Sequence, residues 1–284
     1  MLIFHRSADL KAYAANQPQW HCNGFVPTMG ALHAGHLSLI AQAKQKHPLV
    51  VASIFVNPTQ FNDAKDFEQY PVTTAADIVL LENAGCDVLF LPDVAEMYPQ
   101  GLETEEIYHL GPLETLLEGY YRPGHFQGVC RVVHRLFDKV KPEAIFMGAK
   151  DFQQCMVIQR LIDTRQLPVA LQICPTMRDP DGLAMSSRNL RLSADARQHA
   201  TALYLALNNI SRQASSCADA RLLEKIAAQQ VLQAGFTKVD YISIAHPATL
   251  LPAEALQAGQ TYVALGAAFL DGVRLIDNLL FMVD

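Results

Sequence analysis

The chain is 284 residues long, half of them apolar and 18% charged, with 22 basic against 28 acidic side chains and a formal net charge of −6. That is the composition of one large or two modest globular domains. It excludes a polybasic nucleic-acid binder, and no apolar run reaches the length of a membrane span.

Met1–Arg6 reads as a first strand, since no apolar stretch of leader length follows it. A second apolar strand breaks at Gly30, and a helix begins around His33 and His36. The continuous apolar run Leu49–Val56 predicts a strand buried on both faces of a parallel sheet. Thr74-x-x-Asp77 is a capping-box variant opening a helix that Gly85 ends, and Cys86–Leu91 is the next strand. Val129, Val132, Val133, Leu136, Phe137 and Val140 mark a strongly one-sided helix, stopped by Pro142. Ala144–Met147, a helix over about 151–164 and Val169–Cys174 continue the alternation. Strands alternating with helices predict a Rossmann-like, doubly wound parallel sheet that binds ligands at the carboxyl ends of its strands.

After Pro175 the pattern changes to helices near 193–213 and 218–234, the second ended by Gly235, then strands near 238–245, 260–266 and 273–277. Helices followed by strands predict a smaller α+β domain, dividing the chain into 1–175 and 176–284. The polar loop at 175–190 suits a hinge. Six cysteines at 22, 86, 130, 155, 174 and 217, no two closer than 19 residues, form neither a zinc knuckle nor a disulfide framework. They predict free thiols in a reducing cytoplasm.

Five junctions carry chemistry. In the first, His33 and His36 follow the glycine turn at the start of a helix, where unpaired N–H groups and the dipole favour phosphate. Read alone, the pair is also compatible with an incidental placement or a metal half-site, although zincins space their histidines by four with Glu between. The second is Phe55-Val-Asn-Pro-Thr-Gln-Phe61, which offers Asn57 and Gln60 at a strand end, and the third is Arg122-Pro-Gly-His125 leading into Phe126-Gln-Gly-Val129, an anion site in form. In the fourth, Gly148-Ala-Lys-Asp-Phe-Gln-Gln154, Lys150 can neutralise phosphate, Asp151 can cap the next helix and Gln154 faces the strand ends. The fifth, Arg178 through Asn189, has the form of a mobile phosphate clamp built on Ser186, Ser187 and Arg188.

On these segments, together with Arg274-Leu-Ile-Asp-Asn278, the chain resembles the pantothenate synthetase (pantoate–β-alanine ligase) family from its first strand to its last. His33-Ala-Gly-His36 is similar to the H-x-G-H signature of a nucleotidyltransferase superfamily, and Met185-Ser-Ser-Arg188 to its mobile second signature. The resemblance implies that pantoate is adenylated by ATP with release of pyrophosphate, and that β-alanine then displaces AMP to form pantothenate. It implies His36, His33, Lys150 and Arg188 as catalytic residues, with His36 in the proton-donor position. Met29, Gly30, Ala31, Leu32, Ala34, Gly35, Gly148, Ala149, Asp151, Met177, Met185, Ser186 and Ser187 would complete the ATP site. Gln60 would meet pantoate and β-alanine, Gln154 pantoate, with Asn57, Arg122 and His125 on the substrate side. Mg²⁺ would accompany ATP near Asp77, with no tightly bound organic cofactor. The partners implied are the three small substrates and a second copy of the chain, with no nucleic acid and no membrane.

Three positions depart from the family pattern. Ala149 stands where Glu is common, Arg131 replaces a small polar residue, and Arg178-Asp-Pro replaces the usual Arg-Glu pair. Arg131 raises the expectation of an altered amine-acceptor side. The competing readings are a transferase that keeps its adenylate, a nucleotide-binding regulatory module, and a metal-dependent hydrolase using both histidines as ligands.

Overall fold

In the computed structural model, the described residues are 1–62, 64–103 and 106–284. Strands β1 (Leu2–Phe4), β2 (Asn23–Thr28), β3 (Leu49–Ile54), β4 (Val88–Phe90), β5 (Ala144–Gly148) and β6 (Ala170–Cys174) form one parallel sheet in the order β1-β4-β3-β2-β5-β6. The chain winds outward from β2 through β3 and β4 on one side and through β5 and β6 on the other. Strand order therefore reverses between β2 and β5, and a crevice opens there at the carboxyl ends of the strands.

Every residue of β3 is buried, which accounts for its uninterrupted apolar run. Val26, Val50 and Ala52 pack one sheet face on helices Ala34–Lys46 and Thr74–Asn83. Phe25 and Val51 pack the other on helices His125–Val140 and Phe152–Arg165. The one-sided helix is as predicted: all six of its periodic apolar residues are buried. Helix Ser7–Ala15 has no counterpart among the predicted elements, because it buries only Leu10 and so carries no apolar stripe.

The second sheet is antiparallel, β7 (Lys238–Ala245), β8 (Thr261–Leu270) and β9 (Val273–Met282) in that order, covered by helices Ala194–His199, Ala202–Gln213 and Ala220–Gln233. The helix expected over 193–213 divides at Ala200 and Thr201, although both keep right-handed helical dihedrals. Strands β8 and β9 run longer than their sequence pattern because Asp271 and Gly272, at φ +52° and +71°, close a tight hairpin. Ala245, Leu250, Val263 and Leu265 belong to the same core as helices His125–Val140 and Phe152–Arg165, so apolar packing joins the two sheets. Among the described residues no helix is long and apolar enough to cross a membrane.

Candidate active site

The crevice is built first by the turn that leaves β2. Gly30 and Ala31 take φ of +81° and +49°, which aims the N–H groups of Ala31 and Leu32 at the carboxylate of Asp77, at 3.0 and 2.8 Å. A left-handed alanine costs roughly 1–3 kcal/mol. Two charge-assisted hydrogen bonds of about 1.5–3 kcal/mol each offset it. Asp77 is 1% exposed and also accepts from the Thr73 hydroxyl. Asp77 is thus a buried brace for the turn, with both oxygens engaged. One expectation is corrected: the Thr74-x-x-Asp77 box is not formed, since Thr73 is the N-cap and its hydroxyl goes to Asp77.

His33 is the N-cap of helix Ala34–Lys46. Its Nδ1 accepts the Gly35 N–H at 3.1 Å, while its own backbone N–H donates to Nδ1 of His36 at 3.3 Å. Gly35 is required here, because a Cβ would lie 2.8 Å from the His33 ring. Burial, then the Lys150 charge, lowers the His33 pKa to about 4. Burial, then His33 and Lys150, lowers that of His36 to about 3. Both imidazoles are neutral at physiological pH. With Nδ1 accepting in each, the proton sits on Nε2. The rings lie 4.1 Å apart, so the site offers two adjacent neutral donors.

The Asn57–Gln60 turn follows β3. Asn57 donates to the Gln60 side-chain oxygen and to the Gly128 carbonyl, each at 3.2 Å, and accepts from Tyr98 at 2.7 Å. It is 1% exposed, so it orients Gln60 from behind and does not itself face the crevice as expected. His125 is likewise buried beneath Gln60, 2.7 Å from its carbonyl, with burial and Arg122 lowering its pKa to about 3. At the glycine-rich helix entrance Gly128 permits close packing: a Cβ there would stand 2.2 Å from the Thr59 carbonyl oxygen. Arg122 reaches the Gln60 carbonyl at 3.4 Å and Glu118 at 3.7 Å.

From β5 comes Lys150, whose Nζ lies 4.0 Å from Asp151. Asp151 makes no side-chain cap to the following helix, contrary to expectation, and faces the crevice. From the far side, Ser187 donates to the Ala31 carbonyl at 2.9 Å, and Ser186 accepts the Arg188 N–H at 3.3 Å. Arg188 and Arg191 both grip Asp66, at 2.8 and 2.7 Å. Burial opposes ionisation of Asp66, but these two guanidiniums hold its pKa below the usual carboxylate range. Asp66 carried no signal in the sequence; only the fold brings it to Arg188, 122 residues away.

His33, His36, Gln60, Lys150, Gln154, Met177, Met185, Ser186, Ser187 and Arg188 thus line one cavity of about 230 Å³ at the carboxyl ends of β2 and β5. A second cavity of about 420 Å³, which Arg122, Arg191 and Arg274 help line, shares Lys150, Asp151, Ser186 and Arg188 with it. The family model for pantoate-beta-alanine ligase matches residues 2–280. The chain belongs to the pantoate–β-alanine ligase family. It is an enzyme of the ligase class, and its product is pantothenate.

Relatives of this ligase agree over nearly the whole length. The pantothenate synthetase of Chloroflexus aurantiacus is 45% identical over 282 residues, 99% of this chain and 98% of the relative. The crystal structure of pantothenate synthetase from Thermus thermophilus superposes with a TM-score of 0.90 at 42% identity, covering 98% and 99% of the two chains. The pantoate-beta-alanine ligase of Francisella tularensis, complexed with beta-gamma ATP and beta-alanine, gives 0.81 at 35% identity, covering 99% and 97%.

Two departures from the ligase pattern now have a place. Arg131 donates to the Leu102 carbonyl at 3.2 Å and does not line either of these two cavities. Ala149 contributes its carbonyl to an Asn278 hydrogen bond. Among the described residues no three His, Cys, Asp or Glu side chains gather as a metal cage. Four of the six cysteines, at 86, 130, 155 and 174, are buried free thiols.

Proposed function

We propose that this ligase uses ATP, as its magnesium complex, to convert pantoate to a pantoyl adenylate and then passes the pantoyl group to β-alanine. The pantoate carboxylate oxygen attacks the α-phosphorus, and the bond to the β-phosphate breaks to release pyrophosphate. The β-alanine nitrogen then attacks the acyl carbon, AMP leaves with the bridging oxygen, and the amine loses a proton. Adenylation is needed because a carboxylate is a poor acyl donor, while AMP is a good leaving group.

The observation that carries this reading is the pair of neutral Nε2–H donors beside Lys150 on one cavity wall. Fixed donors aimed at charge that develops on a transferring phosphoryl group are worth far more in a low-dielectric cleft than in water. His33 and His36 donate hydrogen bonds to that phosphoryl group; with a pKa of about 3, His36 acts as a hydrogen-bond donor and does not release a net proton. Lys150 and the Ser186–Arg188 loop hold the departing phosphates. Gln60 and Gln154 hold pantoate, and Gln60 borders the incoming amine. Met29–His36, Gly148–Asp151, Met177 and Met185 enclose the nucleotide. Magnesium supplies charge neutralisation on the triphosphate, and Asp151 is the carboxylate on the shared wall that can meet it. The Francisella relative, solved with beta-gamma ATP and beta-alanine, supports the choice of substrates. A cytoplasmic setting and a homodimer complete the proposal, with no resident organic cofactor.

AMP release assayed with ATP, pantoate and a panel of small amines tests it. AMP formation should require pantoate and be fastest with β-alanine. A stable product retaining the nucleotide would overturn it.

A further inference from the structure

Arg274-Leu-Ile-Asp-Asn278 lies on β9, outside the sheet that carries the histidines, yet Arg274 through Asp277 line the larger of the two cavities. The side-chain amide of Asn278 donates both of its hydrogens into the β5 turn, to the Ala149 carbonyl and to the Lys150 carbonyl, each at 2.8 Å. Its neighbour Asp277 takes a bidentate pair from Arg178 at 2.6 and 2.9 Å. Arg178 is the root of the Ser186–Arg188 loop: it pairs with Ala184 as an isolated bridge, donates to the Gly182 carbonyl and stacks 3.9 Å from the Tyr204 ring. The guanidinium also reaches the Asn278 carbonyl at 3.3 Å. Asp277 and Asn278 are both buried, and β9 is held in register by its pairing with β8, Asp277 opposite Gly266 and Asn278 opposite Leu265.

From this we infer that Asp277 and Asn278 are positioning residues that set the spacing between Lys150 and the Ser186–Arg188 loop. Two consecutive residues on one strand hold the two halves of the phosphate grip, one through the backbone of the lysine turn and one through the root of the loop. Among the described residues the Lys150 ammonium has no charged partner closer than Asp151 at 4.0 Å, so its placement depends on the backbone beneath it. Bonding two successive carbonyls fixes that backbone more tightly than either bond alone. Placement matters because an error of about 1 Å in a reacting group can cost on the order of a hundredfold in rate.

The inference rests on the adenylation reading, and the two halves of that reaction test it separately. Pantoate-dependent exchange of labelled pyrophosphate into ATP reports adenylation, and aminolysis of supplied pantoyl adenylate by β-alanine reports the second step. In Asn278→Ala, exchange should fall between about tenfold and a hundredfold, while aminolysis measured at saturating pantoyl adenylate falls by a clearly smaller factor, because the β- and γ-phosphates have already left. Asn278→Asp, which turns an acceptor toward two carbonyls, should lose exchange at least as severely. Asn278→Ser, with one donor left, should fall between parent and alanine, and it decides the matter if the alanine variant does not fold. Equal loss of both half-reactions, or unchanged exchange, would overturn the inference. Absence of pantoate-dependent exchange in the parent protein would instead overturn the adenylation reading itself.

Discussion

The N–H of His33 donates to Nδ1 of His36 at 3.3 Å, so the second histidine of the pair caps the helix on which it stands. The same contact leaves the proton of His36 on Nε2, toward the cavity. Helix capping and tautomer selection are one interaction here, which is why this turn can serve as both scaffold and reactive group.

Substituting His36 should therefore affect rate and stability together. His36→Ala is expected to lower adenylation by on the order of a hundredfold or more, the scale for loss of one preorganised donor, and to cost about 1 kcal/mol of stability through the lost cap. Lys150→Ala should show a similar rate loss without the capping cost. Pyrophosphate exchange and urea midpoints on both variants check this; near-parental rates in both would remove the histidine–lysine assignment.

Three histidines make folding sensitive to acid. His33, His36 and His125 have folded pKa values of about 4, 3 and 3, against roughly 6.5 when unfolded. Below about 6.5 the unfolded chain binds more protons, so stability is complete above that pH and is lost as pH falls toward the folded values. Each excess proton contributes a slope of about 1.4 kcal/mol per pH unit. Urea midpoints should decline as pH is lowered from neutrality toward the folded His33 value, and less steeply in His125→Gln. An identical slope in that variant would contradict the buried, neutral assignment.

Asp77 separates bracing from metal binding. In Asp77→Asn one carboxylate oxygen becomes a donor facing the amides of Ala31 and Leu32. The expected result is a loss of about 1–3 kcal/mol of stability with an unchanged Mg²⁺ concentration for half-maximal rate. A shifted magnesium dependence with parental stability would instead make Asp77 a ligand of the metal.

Gly128→Ala should act on pantoate through Gln60. The added carbon meets the Thr59 carbonyl oxygen at 2.2 Å, which backbone cannot accommodate without moving the Asn57–Gln60 turn. The KM for pantoate is expected to rise severalfold more than the KM for ATP; equal changes in both would show that the turn does not serve pantoate.

The 178–190 loop is tied to the β2 turn by the Ser187 hydrogen bond to Ala31. Nucleotide should add contacts through Ser186 and Arg188. Hydrogen exchange over the loop should slow when ATP is added, and equal protection in both states would count against closure.

Much of this was legible along the chain because it is local. An apolar run, a glycine turn and two histidines three apart already specify a strand, a sharp exit and a capped helix, since each depends on neighbours within a turn or two. The one-sided spacing from Val129 to Val140 likewise needs only helical geometry. The Asp271-Gly272 hairpin is just as local, but the apolar pattern ends β8 near 266 and does not reveal it; the turn sets the true length of β8 and β9.

What composition and spacing could not supply was which distant group completes each local motif. The β2 turn has the form of a phosphate site, but Asp77, 46 residues on, already occupies two of its amides. Asn57 and His125 are residue types that bind substrates, but packing turns them under Gln60. Asn278 reaches the Lys150 turn from 128 residues away. Such contacts exist only once strand order places the carboxyl ends of β2 and β5 side by side and the second sheet packs beneath them. Local sequence specifies the reactive groups and the turns that present them. Which of those groups face the cavity is settled by the assembled fold, because burial and hydrogen-bond satisfaction belong to the neighbourhood and not to the residue.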